Sequence, residues 1–120
     1  MNIQLVAGLL GVESGQDAVI RALLFKQKDD RVVPYPYKVS DFTSRLSNLR
    51  NTLGDTGIAD QGLIPGYILA GDKNFVAYAR TPAQILRIVY ASGNESSPGG
   101  FYPRGGDGRF ARQYLSKPWS

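Results

Sequence analysis

The opening segment of the chain sets apolar positions at a helical rather than an alternating period. From Asn2 to about Gln27 there is no proline. Leu5, Val6, Leu9, Ile20, Leu23 and Leu24 fall on one broad face when successive residues are placed about 100° apart. The spacing predicts one long helix. A second strip, Gly8, Gly11, Gly15, Ala18 and Ala22, advances by three or four residues and carries almost no side chain. Each interior glycine costs roughly 0.5–1 kcal/mol of helix stability, so the strip reads as a helix-packing surface where another helix approaches closely. A helix with one apolar face and one bare face is the central member of a bundle.

Pro34 and Pro36 in Val33-Pro34-Tyr35-Pro36-Tyr37 stop this helix, because each lacks an amide proton and restricts the residue before it. A short extended connector is expected there. A second helix should start at Ser40 as N-cap, with Asp41 in its first turn, and end at Gly54. Phe42, Leu46, Leu49 and Leu53 would form its inner face, and Ser44, Ser47, Asn48 and Asn51 its outer one. Asp55 to Phe75 reads as a long loop anchored by Ile58, Leu63, Ile64, Ile68 and Leu69.

The clearest start signal is Thr81-Pro82-Ala83-Gln84. Thr81 caps, Pro82 suits the first helical position, and Gln84 closes a capping box. A third helix follows through Ile85, Leu86, Ile88, Val89 and Tyr90, with Gly93 as its expected end. Ser97 to Pro103 reads as a loop, and Asp107 as the cap of a short last helix reaching Leu115. There is no internal repeat and no strand of useful length, so the expected class is mainly α.

Composition narrows the chemistry. The chain has 120 residues and neither Cys nor His, which fits one small domain or a piece of a larger one. Zinc fingers, disulfide frameworks, cysteine nucleophiles and Ser-His-Asp catalysis are excluded, since each needs a thiolate or an imidazole. A net charge of +4 is mild and does not by itself point to nucleic acid. The uncharged stretch from Asn2 to Val12 is too short to span a bilayer and has no basic n-region, so neither a transmembrane helix nor a signal peptide is expected in this chain. The absence of Cys leaves the compartment open.

Glu13 and Gln16 sit in the middle of the first helix's apolar face. Burying Glu13 without a hydrogen-bond partner or a cation would cost several kcal/mol, and no nearby residue supplies one. Its partners are therefore expected outside this chain. Met1-Asn2 enters the helix with no linker or cap, which fits a fragment that begins inside a larger fold.

The segment Leu5-Val6-Ala7-Gly8-Leu9-Leu10-Gly11-Val12-Glu13-Ser14-Gly15-Gln16-Asp17-Ala18-Val19-Ile20-Arg21 resembles the C-terminal part of the plant and bacterial desiccation-related proteins, which contain a ferritin-like domain. Further blocks agree in order: Arg45 with Leu49-Arg50-Asn51, Leu69-Ala70-Gly71-Asp72, Tyr78 with Arg80-Thr81-Pro82, and Ile85-Leu86-Arg87-Ile88-Val89-Tyr90. Pro98-Gly99-Gly100-Phe101-Tyr102-Pro103 and Gly106-Asp107-Gly108-Arg109 continue the series, while Ile64-Pro65-Gly66-Tyr67 is shorter than the family's usual loop. The resemblance implies the last helix of a ferritin-like four-helix bundle over 1–30 and a C-terminal extension of short helices and long loops over 31–120. On this resemblance the three preceding helices of longer relatives are expected outside the sequence given. It further implies a tie to water-deficit stress in plants, relatives that are often secreted, no established enzyme activity and no cofactor.

Ferritin-like carboxylate proteins hold two metal ions with a Glu from each of two helices and Glu-x-x-His from each of the other two. The matching positions here read Glu13-Ser14-Gly15-Gln16, where a neutral amide replaces the imidazole. Glu13 is accordingly either a relic of a metal site or, with Gln16, a polar core pair. Gly99-Gly100 and Gly105-Gly106-Asp107-Gly108-Arg109 read as an anion nest or, better, as a structured loop, since no Lys follows at Walker spacing and no strand precedes. Arg104, Arg109, Arg112 and Lys117, among Tyr102, Phe110, Tyr114 and Trp119, form a basic and aromatic cluster. It reads as an anion-binding surface or as amphipathic side chains closing over a core. Asn94-Glu95-Ser96 matches the N-glycosylation sequon.

The expected function is a non-enzymatic protective or structural role in water stress. The expected partners are the missing N-terminal bundle helices or a second copy of the chain, rather than nucleic acid or membrane. The alternatives are a metal-binding oxidoreductase remnant using Glu13 and an anionic-surface binder using Arg104, Arg109 and Arg112.

Overall fold

A computed structural model describes residues 3–55, 57, 62–64, 68–69, 71, 74, 76–106 and 108–109. Three helices are present among them: α1 (Ile3–Lys26), α2 (Val39–Gly54) and α3 (Pro82–Tyr90). The described residues pair in β fashion only at the isolated bridges Arg31 with Lys38 and Gly99 with Tyr102, so the class is mainly α as expected. None of the described helices is long and apolar enough to cross a membrane. Apart from Gly108 and Arg109, the short last helix expected from Asp107 to Leu115 lies outside the described residues, as do Ile58 and the 65–67 part of the loop. The chain divides into two compact units, Met1–Asn48 with Asp60–Tyr78, and Leu49–Ala59 with Ala79–Ser120.

In the first unit α1 runs 24 residues, close to the expected bounds. Its apolar arc is open: Leu5, Leu9, Leu10, Val12, Val19, Ile20 and Leu23 are each more than half exposed. On the other side, a methyl group built at Gly8, Gly11 or Gly15 would meet nothing within 4 Å. The buried residue of this helix is Arg21. Its guanidinium donates to the Gly62 carbonyl at 2.8 Å and to the Ile68 carbonyl, tying two loop positions more than 40 residues away onto the end of α1. A rigid fork of donors suits such a double task better than an ammonium point charge.

The segment around Pro34 is a closed turn rather than the extended connector expected from its prolines. The Val33–Pro34 peptide bond is cis. Val32 N–H donates to Tyr37 O at 2.9 Å, Tyr35 N–H to Val32 O at 2.8 Å, and Val39 N–H to Asp30 O at 3.0 Å. The chain thus reverses and delivers Tyr35 and Tyr37 edge-on to Phe42, with centroids 5.7 and 6.0 Å apart. The Arg45 guanidinium lies 4.3 Å over the Tyr37 ring, a cation–π contact.

Two expectations for α2 are corrected. The helix starts at Val39, so the cap position falls on Lys38 rather than Ser40. Asp41 explains the shift: its carboxylate accepts the Lys38 N–H at 2.8 Å, the reach-back half of a capping box. The expected inner and outer faces are also partly exchanged. Leu46 and Leu49 are more than half exposed, whereas Ser47 is buried at 4% exposure. The Gly62 backbone approaches so closely that a methyl group there would sit 3.3 Å from Ser47 Oγ. A small side chain at 47 admits that approach, and a leucine would not.

In the second unit α3 has the full capping box expected of Thr81 and Gln84, with Thr81 N–H donating to Gln84 Oε1 at 2.8 Å and Gln84 N–H to Thr81 Oγ1 at 3.4 Å. The helix ends earlier than expected. Ala91, not Gly93, takes the first left-handed conformation (φ 54°), its N–H donating to Ile88 O, and Gly93 (φ 68°) follows in the same region. A non-glycine residue there costs about 1–2 kcal/mol, which the contacts made by the following segment must offset.

Replacing Arg21 by Leu should destabilise the first unit by about 1–3 kcal/mol, because the Gly62 and Ile68 carbonyls lose a charged donor while staying partly shielded from water. Chemical denaturation together with limited proteolysis between residues 62 and 69 measures this. An unchanged midpoint and cleavage rate would show that the guanidinium does not anchor the loop.

Candidate functional site

Two regions carry polar chemistry. The first is the middle of α1, where Glu13 and Gln16 are both exposed, with Ser14 and Asp17 exposed beside them. Among the described residues no three His, Cys, Asp or Glu side chains come together in a way that would hold a metal ion. The di-metal centre implied by a ferritin-like bundle needs several converging carboxylates and imidazoles. A single carboxylate beside a neutral amide does not fit it, so the chain's own described residues do not form such a centre. The glycine strip lies inside α1, where the backbone N–H groups serve the helix and are not available to an anion.

The second region is the segment after α3, built downward from the helix end. Phe101 N–H donates to Val89 O at 3.1 Å, supplying a donor to a carbonyl that the helix leaves without a partner. Methyl groups built at Gly99 and Gly100 would lie 2.6 Å from the Tyr90 and Val89 carbonyl oxygens respectively. Only glycine allows the chain to sit so tightly on a helix end. The Pro98-Gly99-Gly100 sequence is thereby explained as a lid on α3, and no anion nest is needed to account for it. Tyr102 N–H then donates to Gly99 O and Gly105 N–H to Tyr102 O, both at 2.9 Å, while Gly106 N–H reaches Tyr90 Oη at 3.4 Å. Tyr90, at 4% exposure, is the buried apolar residue around which these turns close.

The same region holds a paired charge that sequence reading overlooked. Arg87 Nε donates to Glu95 Oε2 at 2.7 Å and Arg87 Nη2 to Glu95 Oε1 at 3.2 Å, a two-pronged bond between α3 and the turn after it. The hydrogen bond from Arg87 holds the Glu95 carboxyl below its ordinary pKa, and the same bond raises that of Arg87. Sequence spacing hid the pair because eight residues on a continuous helix would place the two side chains two turns apart. The left-handed break at Ala91 folds Glu95 back.

Of the proposed basic cluster, Arg104 and Arg109 are exposed, with Tyr102 (54%) and Phe101 (87%) exposed nearby in sequence. Arg112, Lys117, Phe110, Tyr114 and Trp119 lie outside the described residues. Asn94 is exposed at the first position of a hydrogen-bonded turn.

Sequence similarity over most of its length places the chain in the desiccation-related, ferritin-like family, and the mainly helical fold agrees with that. It is similar to the ferritin-like catalase Nec2 of Nesocodon mauritianus, at 49% identity over 93% of the chain, and to the desiccation-related protein PCC13-62 of Craterostigma plantagineum, at 46% over 88%. The chain covers 40% and 37% of those relatives' lengths, well under half of each. No family model matches it, and no solved structure does.

The Glu95 carboxyl has a lowered pKa in the folded chain, so its contribution is complete above the unfolded-state value and is lost as pH falls through the folded one. The α3 end should therefore loosen on acidification below about pH 4, and Glu95→Gln should remove that dependence. Carboxyl titration and amide exchange of residues 88–97 by NMR measure both; the same acid response in the Gln variant would assign the effect to another group.

Proposed function

We propose that the chain serves as a non-enzymatic structural portion of a ferritin-like, desiccation-related protein, one that acts in water-stress protection only when α1 is covered. The cover is either further helices of the ferritin-like domain or a second copy of the chain. The exposed arc of α1 carries the proposal. Burying a large aliphatic side chain is worth about 1.5–3 kcal/mol, and nine such residues, Ile3 and Val6 included, stand more than half exposed on one 24-residue helix. A soluble helix with this surface, and with open glycines behind it, is built for enclosure on two sides. The relatives, at more than twice the chain's length, fit the first kind of cover.

The purified chain should consequently self-associate, and Leu5→Glu with Leu9→Glu should shift it to monomer at the cost of a broad, weakly cooperative melt. Sedimentation across a range of concentrations, paired with thermal unfolding, measures this. A monodisperse wild-type monomer with a sharp cooperative transition would contradict the proposal.

A second reading is favoured by the name of the 49% identical relative, a ferritin-like catalase. On this reading Glu13 contributes one ligand of a metal centre completed by residues outside those described, and the assembled protein is an oxidoreductase. Iron and manganese content and catalase activity, compared between the assembled wild-type protein and its Glu13→Ala variant, separate the readings. Loss of metal in the variant supports the enzyme; indistinguishable metal content and activity remove Glu13 as a ligand.

A further inference from the structure

We infer that Asn94 is an acceptor for one N-linked glycan, a role independent of how α1 is covered. Asn94-Glu95-Ser96 is the single Asn-x-Ser/Thr sequence in the chain. Sequons occur by chance, so the fold around this one decides whether a glycan is tolerated. Asn94 follows the left-handed residues Ala91 and Gly93, which end the helix, and it is exposed.

The turn uses every polar group of Asn94 except the one that would react. Its N–H donates to Ser92 Oγ at 3.2 Å, its carbonyl accepts the Ser97 N–H at 3.2 Å, and Ser92 Oγ lies 2.9 Å from that same carbonyl oxygen. Its side-chain Oδ1 accepts the Ser96 N–H at 2.8 Å. Nδ2 takes part in none of these bonds. Ser96 enters the turn through its backbone N–H and is exposed. Glu95, the middle residue, is drawn off to Arg87, which neutralises the carboxylate that would otherwise stand free between the acceptor amide and the serine.

The reaction forms a bond from Asn94 Nδ2 to the anomeric carbon of an oligosaccharide carried on a polyprenyl diphosphate. The anomeric carbon–oxygen bond breaks, the lipid diphosphate leaves with its electron pair, and one Nδ2 proton passes to a base of the transferase. Oδ1 is untouched and Nδ2 keeps one proton. Every hydrogen bond of the folded turn survives the modification, and the sugar projects from an exposed residue.

The test is production of the chain behind a secretory leader in a plant or insect cell host, with a tag carrying a second, independent sequon as an internal control. Enzymatic deglycosylation and peptide mass mapping should find one glycan at Asn94 in addition to that on the tag. Asn94→Gln and Ser96→Ala should both lose it, while Ser96→Thr keeps it. Ser96→Ala is the decisive variant, because it removes the sequon hydroxyl and leaves the Ser96 N–H to Asn94 Oδ1 bond intact. A glycosylated tag beside an unmodified Asn94 in the wild-type chain, or a glycan that persists in Ser96→Ala, would overturn the assignment.

Discussion

The constraint that governs this chain is the surface of α1, which presents aliphatic side chains over one broad arc and bare glycine over another. At 100° per residue the two arcs leave little of the circumference for solvent. The helix is held at its C-terminal end, where Arg21 reaches the Gly62 and Ile68 carbonyls, and residues 3–17 are all exposed. In proteins most of a helix's stability comes from packing of a buried face rather than from intrinsic propensity. The role assigned to the chain follows from that imbalance: a well-formed anchor at one end of a rod whose sides call for other helices.

The second unit shows what satisfied local structure looks like in the same chain. The Thr81–Gln84 box closes the start of α3, and the Pro98–Gly106 turns close its end over Tyr90. Between them the Arg87–Glu95 pair and the Ser92–Ser97 hydrogen bonds fix the turn that carries Asn94. The two glycines seated on the Val89 and Tyr90 carbonyls give a physical reason for one of the sequence blocks by which the family is recognised. The block is a device for ending a helix, and its chemistry is that of backbone satisfaction rather than ligand capture.

Features whose signals are local were legible in the sequence. The period of α1, the capping box of α3 and the absence of strands among the described residues each depend on residues a few positions apart. Features that depend on distant segments were not. Ser47 is buried and Leu46 exposed because the backbone at Gly62 arrives beside α2, and no periodicity within α2 reports that arrival. Arg21 looked like one polar residue on a helix, although its partners lie more than 40 residues on. Lys38 takes the cap position in place of Ser40, two residues further on, because the Asp41 carboxylate accepts the Lys38 N–H. The role of Glu13 stayed open for a related reason: its pattern resembles a ligand position, and whether other ligands converge on it depends on residues beyond those described.

Residue-resolved amide hydrogen exchange on the unmodified chain, followed as concentration is raised, asks whether α1 needs a cover. If it does, amides of residues 5–17 exchange rapidly in dilute solution and gain protection as copies associate, while those of α3 and the 99–105 turns stay protected throughout. Strong protection of residues 5–17 in a dilute monomer, unchanged with concentration, would mean that α1 stands on its own and would contradict the role assigned to it.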